Sequence, residues 1–249
     1  MKMKSRFLIA SAAMVAVAGL LMSSGALASA KVPVEVRVVT FRGEILAQRS
    51  VRTGTTTVET SRRATCLGGK PTDDRKRVAG ATALGALVDL ARRAPRLDPL
   101  LLSGAFDFGI GLCGVGSAVA TGKQWWALKV NGKLATTGGD TTKLGRGDRV
   151  LWYLDRSYEK PMPDELRLSA VDSPGRSALR VKVRALTSEG KSSPAGGAKV
   201  YLGGRQVGTT DRDGRVSVRV PTGGAGPEAL VARLSGHIPS NRVEVENGF

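Results

Sequence analysis

Hydrophobic and polar residues alternate along the first part of the chain, which is typical of half-buried β-strands. Residues 32–39 follow this pattern, and residues 45–51 are predicted to return as a second strand after a turn. The β-branched residues 55–58 continue the extended character. Residues 66–80 are polar and contain glycine, so we predict a loop there.

One segment has helical periodicity instead. Leu84, Leu87, Val88 and Ala91 lie at spacings of three, four and seven residues, which places them on one face of a helix. Thr82 is the predicted N-cap. Two arginines follow in the last turn, and the proline after them prevents continuation.

Strands resume after this helix. Residues 106–112 alternate and are predicted to form a strand that ends at Cys113. Residues 125–130 form a stronger strand, and Asn131-Gly132 is a type I′ hairpin signal. Residues 149–154 close the unit. One helix among several strands indicates an α+β domain, which we assign to residues 31–156.

A proline-containing linker, residues 157–163, precedes a second unit of different composition at residues 164–249. Short alternating segments with turn signals between them predict an all-β sandwich. The predicted strands are residues 166–171, 179–185, 197–202, 205–210, 214–220, 230–233 and 242–245.

The first thirty residues have the pattern of an export signal. Three basic residues precede an apolar run at residues 7–22, and small residues allow cleavage after Ala30. An uncleaved anchor is the alternative, although the run is short for a spanning helix. No second apolar stretch approaches spanning length. We therefore expect an exported chain, secreted or associated with the cell surface, without a transmembrane segment after cleavage.

Charge narrows the choice of partner. The formal net charge is +17, of which three charges lie in the predicted signal. Residues 31–158 have a net charge of +10 and residues 159–249 of +4. An exported protein rarely meets nucleic acid, so we do not expect it as a partner. An anionic cell-envelope polymer is one candidate. A basic surface that only keeps the protein soluble is the alternative.

The cysteine and histidine counts exclude other classes. With two cysteines and one histidine, the chain cannot supply a four-ligand zinc site of these residues. Cys66 and Cys113 are predicted to form a disulfide in an oxidising compartment. A reactive thiol pair is the alternative, but it would normally require close Cys-x-x-Cys spacing.

No motif predicts catalysis. His237 has no nucleophile motif or second base to accompany it. Asp211 and Asp213 could begin a calcium loop, but valines follow where further oxygen ligands are needed, so a β-turn is predicted. We therefore assign no catalytic residue and no metal site, and we expect a protein that is not an enzyme.

Tryptophan marks the candidate ligand site. Trp125 and Trp126 are adjacent on a predicted strand, so their side chains point to opposite faces. Trp126 belongs to the face predicted to join the core, while Trp125 shares the other face with Lys129. Trp125, Lys129 and Asn131 are the candidate ligand-binding residues. The alternative is that Trp125 packs beneath a loop.

Residues 125–132 (WWALKVNG) and 144–153 (LGRGDRVLWY) resemble the transcobalamin C-terminal-like domain. The resemblance covers about residues 32–156. It implies a β-grasp-like fold with one helix, used for binding soluble ligands. Cobalamin is a ligand by resemblance alone, and no other cofactor is expected.

Residues 197–200 and 209–216 resemble the carboxypeptidase-regulatory-like, prealbumin-like sandwiches, which are appended non-catalytic domains related in shape to Ig-like ones. Together these features predict an exported, non-enzymatic module that binds a small molecule or a cell-surface component. A basic adhesion protein that binds anionic wall polymer is the second hypothesis, and a hydrolase is the third.

Overall fold

The computed structural model describes residues 31–68, 72–107, 109–171, 178–220 and 227–245. The predicted export signal and Phe108, which belongs to the predicted strand at 106–112, lie outside these ranges. The described chain is mostly β-structure with one α-helix and several sheets. None of its helices is long and apolar enough to cross a membrane.

The first unit is defined here as residues 31–156, and its described residues form ten strands and one α-helix. The strands are β1 Val32–Val39, β2 Ile45–Thr53, β3 Thr56–Glu59, β4 Arg75–Val78, β5 Leu100–Phe106, β6 Gly109–Val115, β7 Ala118–Val119, β8 Trp125–Val130, β9 Lys133–Leu134 and β10 Arg149–Asp155. The helix is α1, Ala83–Ala91, and short 3-10 helices lie at Cys66–Gly68 and Pro95–Leu97.

The second unit is defined here as residues 164–245, and the structure describes eight strands in it outside residues 172–177 and 221–226. They are β11 Glu165–Val171, β12 Ala178–Leu186, β13 Ser192–Pro194, β14 Lys199–Leu202, β15 Arg205–Thr209, β16 Arg215–Arg219, β17 Glu228–Arg233 and β18 Val243–Val245.

A five-stranded mixed sheet organises the first unit, with strand order β2-β1-β10-β8-β9. The strands β1 and β10 pair in parallel at its centre, and the other pairs are antiparallel. The helix α1 packs on one face, where its leucines join a core with Val36, Trp126 and Trp152. As predicted, Thr82 caps this helix, and its Oγ1 accepts a hydrogen bond from Gly85 N at 3.1 Å.

Two predictions for the first unit are wrong. Residues 66–80 contain a strand, β4, because the segment Arg75–Val78 pairs with β3 through its backbone; Arg75 and Arg77 are exposed and Val78 joins the core. Residues 106–113 are not one strand: the chain turns after Phe106, so that β5 and β6 pair with each other. Gly109 has φ +118°, a conformation that side chains disfavour, and it begins the second strand.

The second unit contains two four-stranded sheets, an arrangement compatible with a β-sandwich. One sheet joins β11, β12, β13 and β16, and the other has the order β15-β14-β17-β18. The inward side chains form a core separate from that of the first unit. All seven predicted strands are present, and β13 is an eighth that its short polar sequence did not reveal. Asp211 Oδ1 accepts from Asp213 N and Arg215 N, which forms the expected turn.

The second unit packs on the face of the mixed sheet opposite to α1. Val39, Ile45, Leu151, Tyr153 and Ile238 form a third apolar cluster across the junction. Burial raises the pKa of Tyr153 to about 12, and the negative charge of Asp155 acts in the same direction. Both faces of the mixed sheet are therefore covered.

A buried ion pair crosses this junction. Arg37 of β1 donates from Nη2 to Glu165 Oε1 at 2.5 Å and from Nη1 to the carbonyl of Pro239 at 2.7 Å. The two side chains are 5% and 1% exposed. Burial lowers the pKa of Arg37, and the charge of Glu165 opposes this shift. Arg167 approaches the same carboxylate at 3.3 Å.

Cys66 and Cys113 form a disulfide across 47 residues, as predicted. It joins the 3-10 helix at Cys66–Gly68 to β6.

Replacing both cysteines with alanine should lower the free energy of unfolding by up to about 4 kcal/mol, because the unfolded chain loses the closed loop. Chemical denaturation should show the same loss in the free energy of unfolding for the variant and for the wild type with its disulfide reduced. A loss below about 1 kcal/mol in both would contradict this structural role.

Glu165→Gln should destabilise the protein by roughly 3–5 kcal/mol, because it leaves the Arg37 guanidinium buried without a counter-charge. The double variant Arg37→Met, Glu165→Met should lose much less, since neither charge remains. Denaturation of Arg37→Met, of Glu165→Met and of the double variant measures the coupling. Additive losses would show that the pair does not interact across the junction.

Candidate functional site

A groove with a cavity volume of about 860 Å³ opens at the N-terminal end of β8. We call it the neutral groove. The 3-10 helix at Cys66–Gly68, the strands β6, β8 and β10, and the loop after β9 contribute to it. Its described lining residues are Thr65, Cys66, Gly68, Ile110, Gly111, Leu112, Ala120, Thr121, Gly122, Trp125, Trp126, Leu128, Ala135, Thr136, Thr137, Gly138, Gly139, Trp152 and Tyr158.

Three tryptophans, Trp125, Trp126 and Trp152, line this groove. Trp126 and Trp152 lie on neighbouring strands and also belong to the core, while Trp125 is half-buried. All three Nε1 atoms are buried. That of Trp125 lies beside the Asp155 carboxylate, and those of Trp126 and Trp152 have no hydrogen-bond partner among the described residues. Buried donors without acceptors are uncommon in folded proteins and require an explanation.

Close packing of backbone against indole shapes one wall of the groove. A Cβ added at Gly139 would lie 2.6 Å from Trp152 Cη2, so a side chain at this position would displace the ring or the loop. Gly139 therefore lets the loop after β9 pass directly over Trp152. Leu84 N donates to the Gly139 carbonyl at 2.8 Å, which ties this loop to the start of α1.

Tyr158 completes the rim from the predicted linker. Its backbone N donates to the carbonyl of Lys123 at 3.1 Å, and Lys123 pairs with Glu159 at 2.6 Å. These contacts fold the segment after β10 back against the turn before β8. The Tyr158 side chain is 53% exposed. A linker residue thus belongs to the candidate site.

The lining is uncharged although the chain is strongly basic. Among the described lining residues there is no Asp, Glu, Lys, Arg or His. Cys66 also lines the groove, but its sulfur is bonded to Cys113 and is not a free thiol. Threonine hydroxyls and backbone groups supply the polarity, and indole rings and aliphatic side chains supply the apolar surface. Such a lining suits a neutral ligand with flat apolar surface.

The structure places the three candidate residues in three different environments. Trp125 lines the neutral groove. Its neighbour Asp155 has a pKa raised by burial, while the backbone N–H of Arg156 and the Trp125 indole act in the opposite direction.

Lys129 lies at the junction between the units. It is fully buried, and its Nζ donates to the carbonyl of Leu186 at 3.3 Å. Burial lowers the pKa of Lys129, while the charges of Glu165 and Asp164 oppose that shift. The face of β8 that we expected to be open to a ligand is therefore covered by the second unit. Lys129 and Trp125 do not share a site.

Asn131 holds a turn instead of facing the groove. Its φ is +54°, and Gly132 follows with φ +87°, as the predicted type I′ turn requires. Its Nδ2 donates to Asp148 Oδ1 at 2.8 Å, and its Oδ1 accepts from Arg149 N at 3.0 Å. These bonds fix the hairpin against the start of β10.

Sequence reasoning missed most of the groove. The sequence pattern assigns Trp126 to the core, and it does not single out Trp152, Thr136, Thr137 or Tyr158. The pair Gly138-Gly139 and an aromatic residue within a polar linker are the signals that could have pointed to them.

The comparisons agree with part of the resemblance noted in the sequence. A family model described as a domain of unknown function (DUF4430), a family known as transcobalamin-like, matches residues 112–156. This segment runs from within β6 to just beyond β10 and contains all three tryptophans. Neither a curated protein nor a solved structure matches the chain. The resemblance of the second unit to carboxypeptidase-regulatory-like sandwiches stays a prediction.

Asn131→Ala should lower the free energy of unfolding by about 1–2 kcal/mol, because alanine disfavours positive φ and lacks both side-chain hydrogen bonds. Asn131→Gly should lose less, since glycine accepts this conformation. Denaturation of the two variants tests the order. If Asn131→Ala is as stable as wild type but binds ligand poorly, Asn131 is a ligand residue and this structural role is wrong.

Proposed function

We propose that the chain is an exported, non-enzymatic binding protein whose neutral groove holds a small uncharged ligand. The observation that carries this proposal is the uncharged, tryptophan-rich lining of a groove in a strongly basic protein. Its volume falls within the range of small-molecule sites. The buried indole N–H groups of Trp126 and Trp152 are donors that a ligand acceptor would satisfy after a small rearrangement.

The same lining supports a binding role over an enzymatic one. General acid–base catalysis needs a titratable group near the substrate. The described lining offers none except Tyr158, which is at the exposed rim. Nucleophilic catalysis by Cys66 would require a free thiol, and this sulfur is bonded to Cys113. The groove thus supplies shape and apolar surface, and little reactive chemistry.

The fold supports the family assignment that we propose for residues 31–156. A central parallel pair within a mixed sheet, crossed by one helix, is compatible with a β-grasp-like unit. The second unit would be an Ig-like or prealbumin-like sandwich. The resemblance to transcobalamin makes cobalamin the first ligand to test. The disulfide supports export, because such bonds persist in oxidising compartments.

Filling the groove should abolish binding. Thr136 is exposed and lines the groove, so Thr136→Trp places an indole in it without disturbing the core. Thr57 is an exposed threonine of β3 outside the described lining, and Thr57→Trp is the matched control. Equilibrium dialysis against cobalamin and a panel of neutral ring-containing compounds measures binding.

We expect at least one compound of the panel to bind wild type and the Thr57→Trp control alike. Thr136→Trp should weaken that binding more than tenfold, which corresponds to about 1.4 kcal/mol. Binding that is unaffected by Thr136→Trp would place the ligand elsewhere. If no neutral compound binds wild type, the proposal fails.

A further inference from the structure

A second concavity lies at the junction of the two units, with a cavity volume of about 960 Å³. Four arginines line it, so we call it the arginine cleft. Four segments form it: the strands β1 and β2, the residues just after α1, and the residues at the start of β18. Its described lining residues are Glu35, Leu46, Ala47, Gln48, Arg49, Ser50, Arg93, Ala94, Pro95, Arg96, Arg242 and Glu244.

The lining is positive, with four arginines against two glutamates. Arg49 and Arg93 are exposed, and neither has an ion-pair or hydrogen-bond partner among the described residues. Arg96 pairs with Glu44 at 2.5 Å, and both side chains are largely exposed. Two of the four guanidinium groups are therefore available to an incoming anion without breaking an existing bond.

Arg242 is held in place by the opposite wall. Its N donates to Gln48 Oε1 at 2.7 Å, and Gln48 Nε2 donates back to the Arg242 carbonyl at 3.0 Å. Its guanidinium donates to the carbonyl of Ile45 at 3.1 Å. This reciprocal contact joins β2 to the second unit, so the cleft has a preorganised floor and depends on the two units being docked.

The two glutamates restrict the class of anion. Glu35 Oε1 accepts from Gln48 Nε2 at 2.8 Å, and Glu244 is exposed. A polyanion without hydroxyl groups between its charges would place anionic oxygens against both carboxylates. A ligand that alternates oxyanions with hydroxyl groups could give the oxyanions to the guanidinium forks and donate its hydroxyls to the carboxylates.

The shape favours a chain-like ligand. A flat membrane surface cannot bring its headgroups into a recess formed between two units. A single phosphate would contact one or two of the arginines and leave the remainder of the cleft filled with water. A flexible polymer can enter the recess and contact several arginines in succession.

We propose that the arginine cleft binds a linear polymer in which phosphodiester groups alternate with hydroxyl-bearing polyol units. This site lies outside the described lining of the neutral groove, so it is a second function of the same chain. Both units contribute to it, because Arg242 and Glu244 come from the second and the remaining lining from the first. The four arginines of the cleft concentrate part of the chain's basic charge at this site.

Fluorescence anisotropy of the purified protein with labelled poly(glycerol phosphate) tests the proposal. The double variant Arg49→Gln, Arg93→Gln should bind at least about tenfold more weakly than wild type, because two charged contacts are lost. The matched control is Arg205→Gln, Arg212→Gln, which removes two exposed arginines of the second unit outside the cleft. Its affinity should stay within about twofold of wild type, and binding should weaken as salt is added.

Three results would overturn the proposal. Equal weakening by both double variants would show attraction to overall charge instead of a site. Displacement of the polymer by inorganic phosphate at matched ionic strength would indicate a single-phosphate site. Absence of polymer binding to wild type at low salt would exclude the ligand class. The Arg49→Gln, Arg93→Gln variant should bind the neutral ligand in equilibrium dialysis with the same affinity as wild type. The two proposed functions can therefore be tested and rejected separately.

Discussion

The buried pair of Arg37 and Glu165 is the constraint on which the arrangement of the two units depends. Removing both charges from water costs several kcal/mol for each group, and that cost is offset only while the two remain in contact. Arg37 lies in the middle of β1, and Glu165 begins β11, so the contact can form only when the units are docked. The carbonyl of Pro239 completes the coordination of the guanidinium.

This docking determines which surfaces remain for ligands. The outward face of the mixed sheet, including Lys129 and Tyr153, is buried beneath the second unit. The neutral groove is left at the end of β8, and the arginine cleft is created where β2 meets Arg242. Charge is distributed accordingly, with an uncharged described lining in the groove and four arginines in the cleft. One chain thereby offers two chemically distinct surfaces.

Local patterns in the sequence predicted most elements because each depends on neighbours along the chain. The Thr82 cap and the Asn131-Gly132 turn are of this kind. The continuous apolar run 150–154 also indicated a strand buried on both faces, as is typical of strands in parallel pairs. We had interpreted only one of those faces.

What could not be predicted depends on residues far apart in sequence. Arg37 and Glu165 are separated by 128 positions, and nothing local marks either as a partner. The same holds for Gln48 and Arg242, and for the approach of Gly139 to Trp152. The polar strand β4 exists because β3 offers it backbone partners, so its sequence carries no hydrophobic pattern. The sequence prediction therefore included Trp125, which lines the groove, and missed the other residues that line it.

Differential scanning calorimetry of the purified protein tests most directly whether the buried pair couples the two units. If it does, the protein should unfold in one transition whose calorimetric and van't Hoff enthalpies agree. Two resolved transitions, each with the enthalpy expected for one unit, would show that the units fold independently. That result would contradict the account, since neither the covered sheet face nor the arginine cleft would then be a fixed feature.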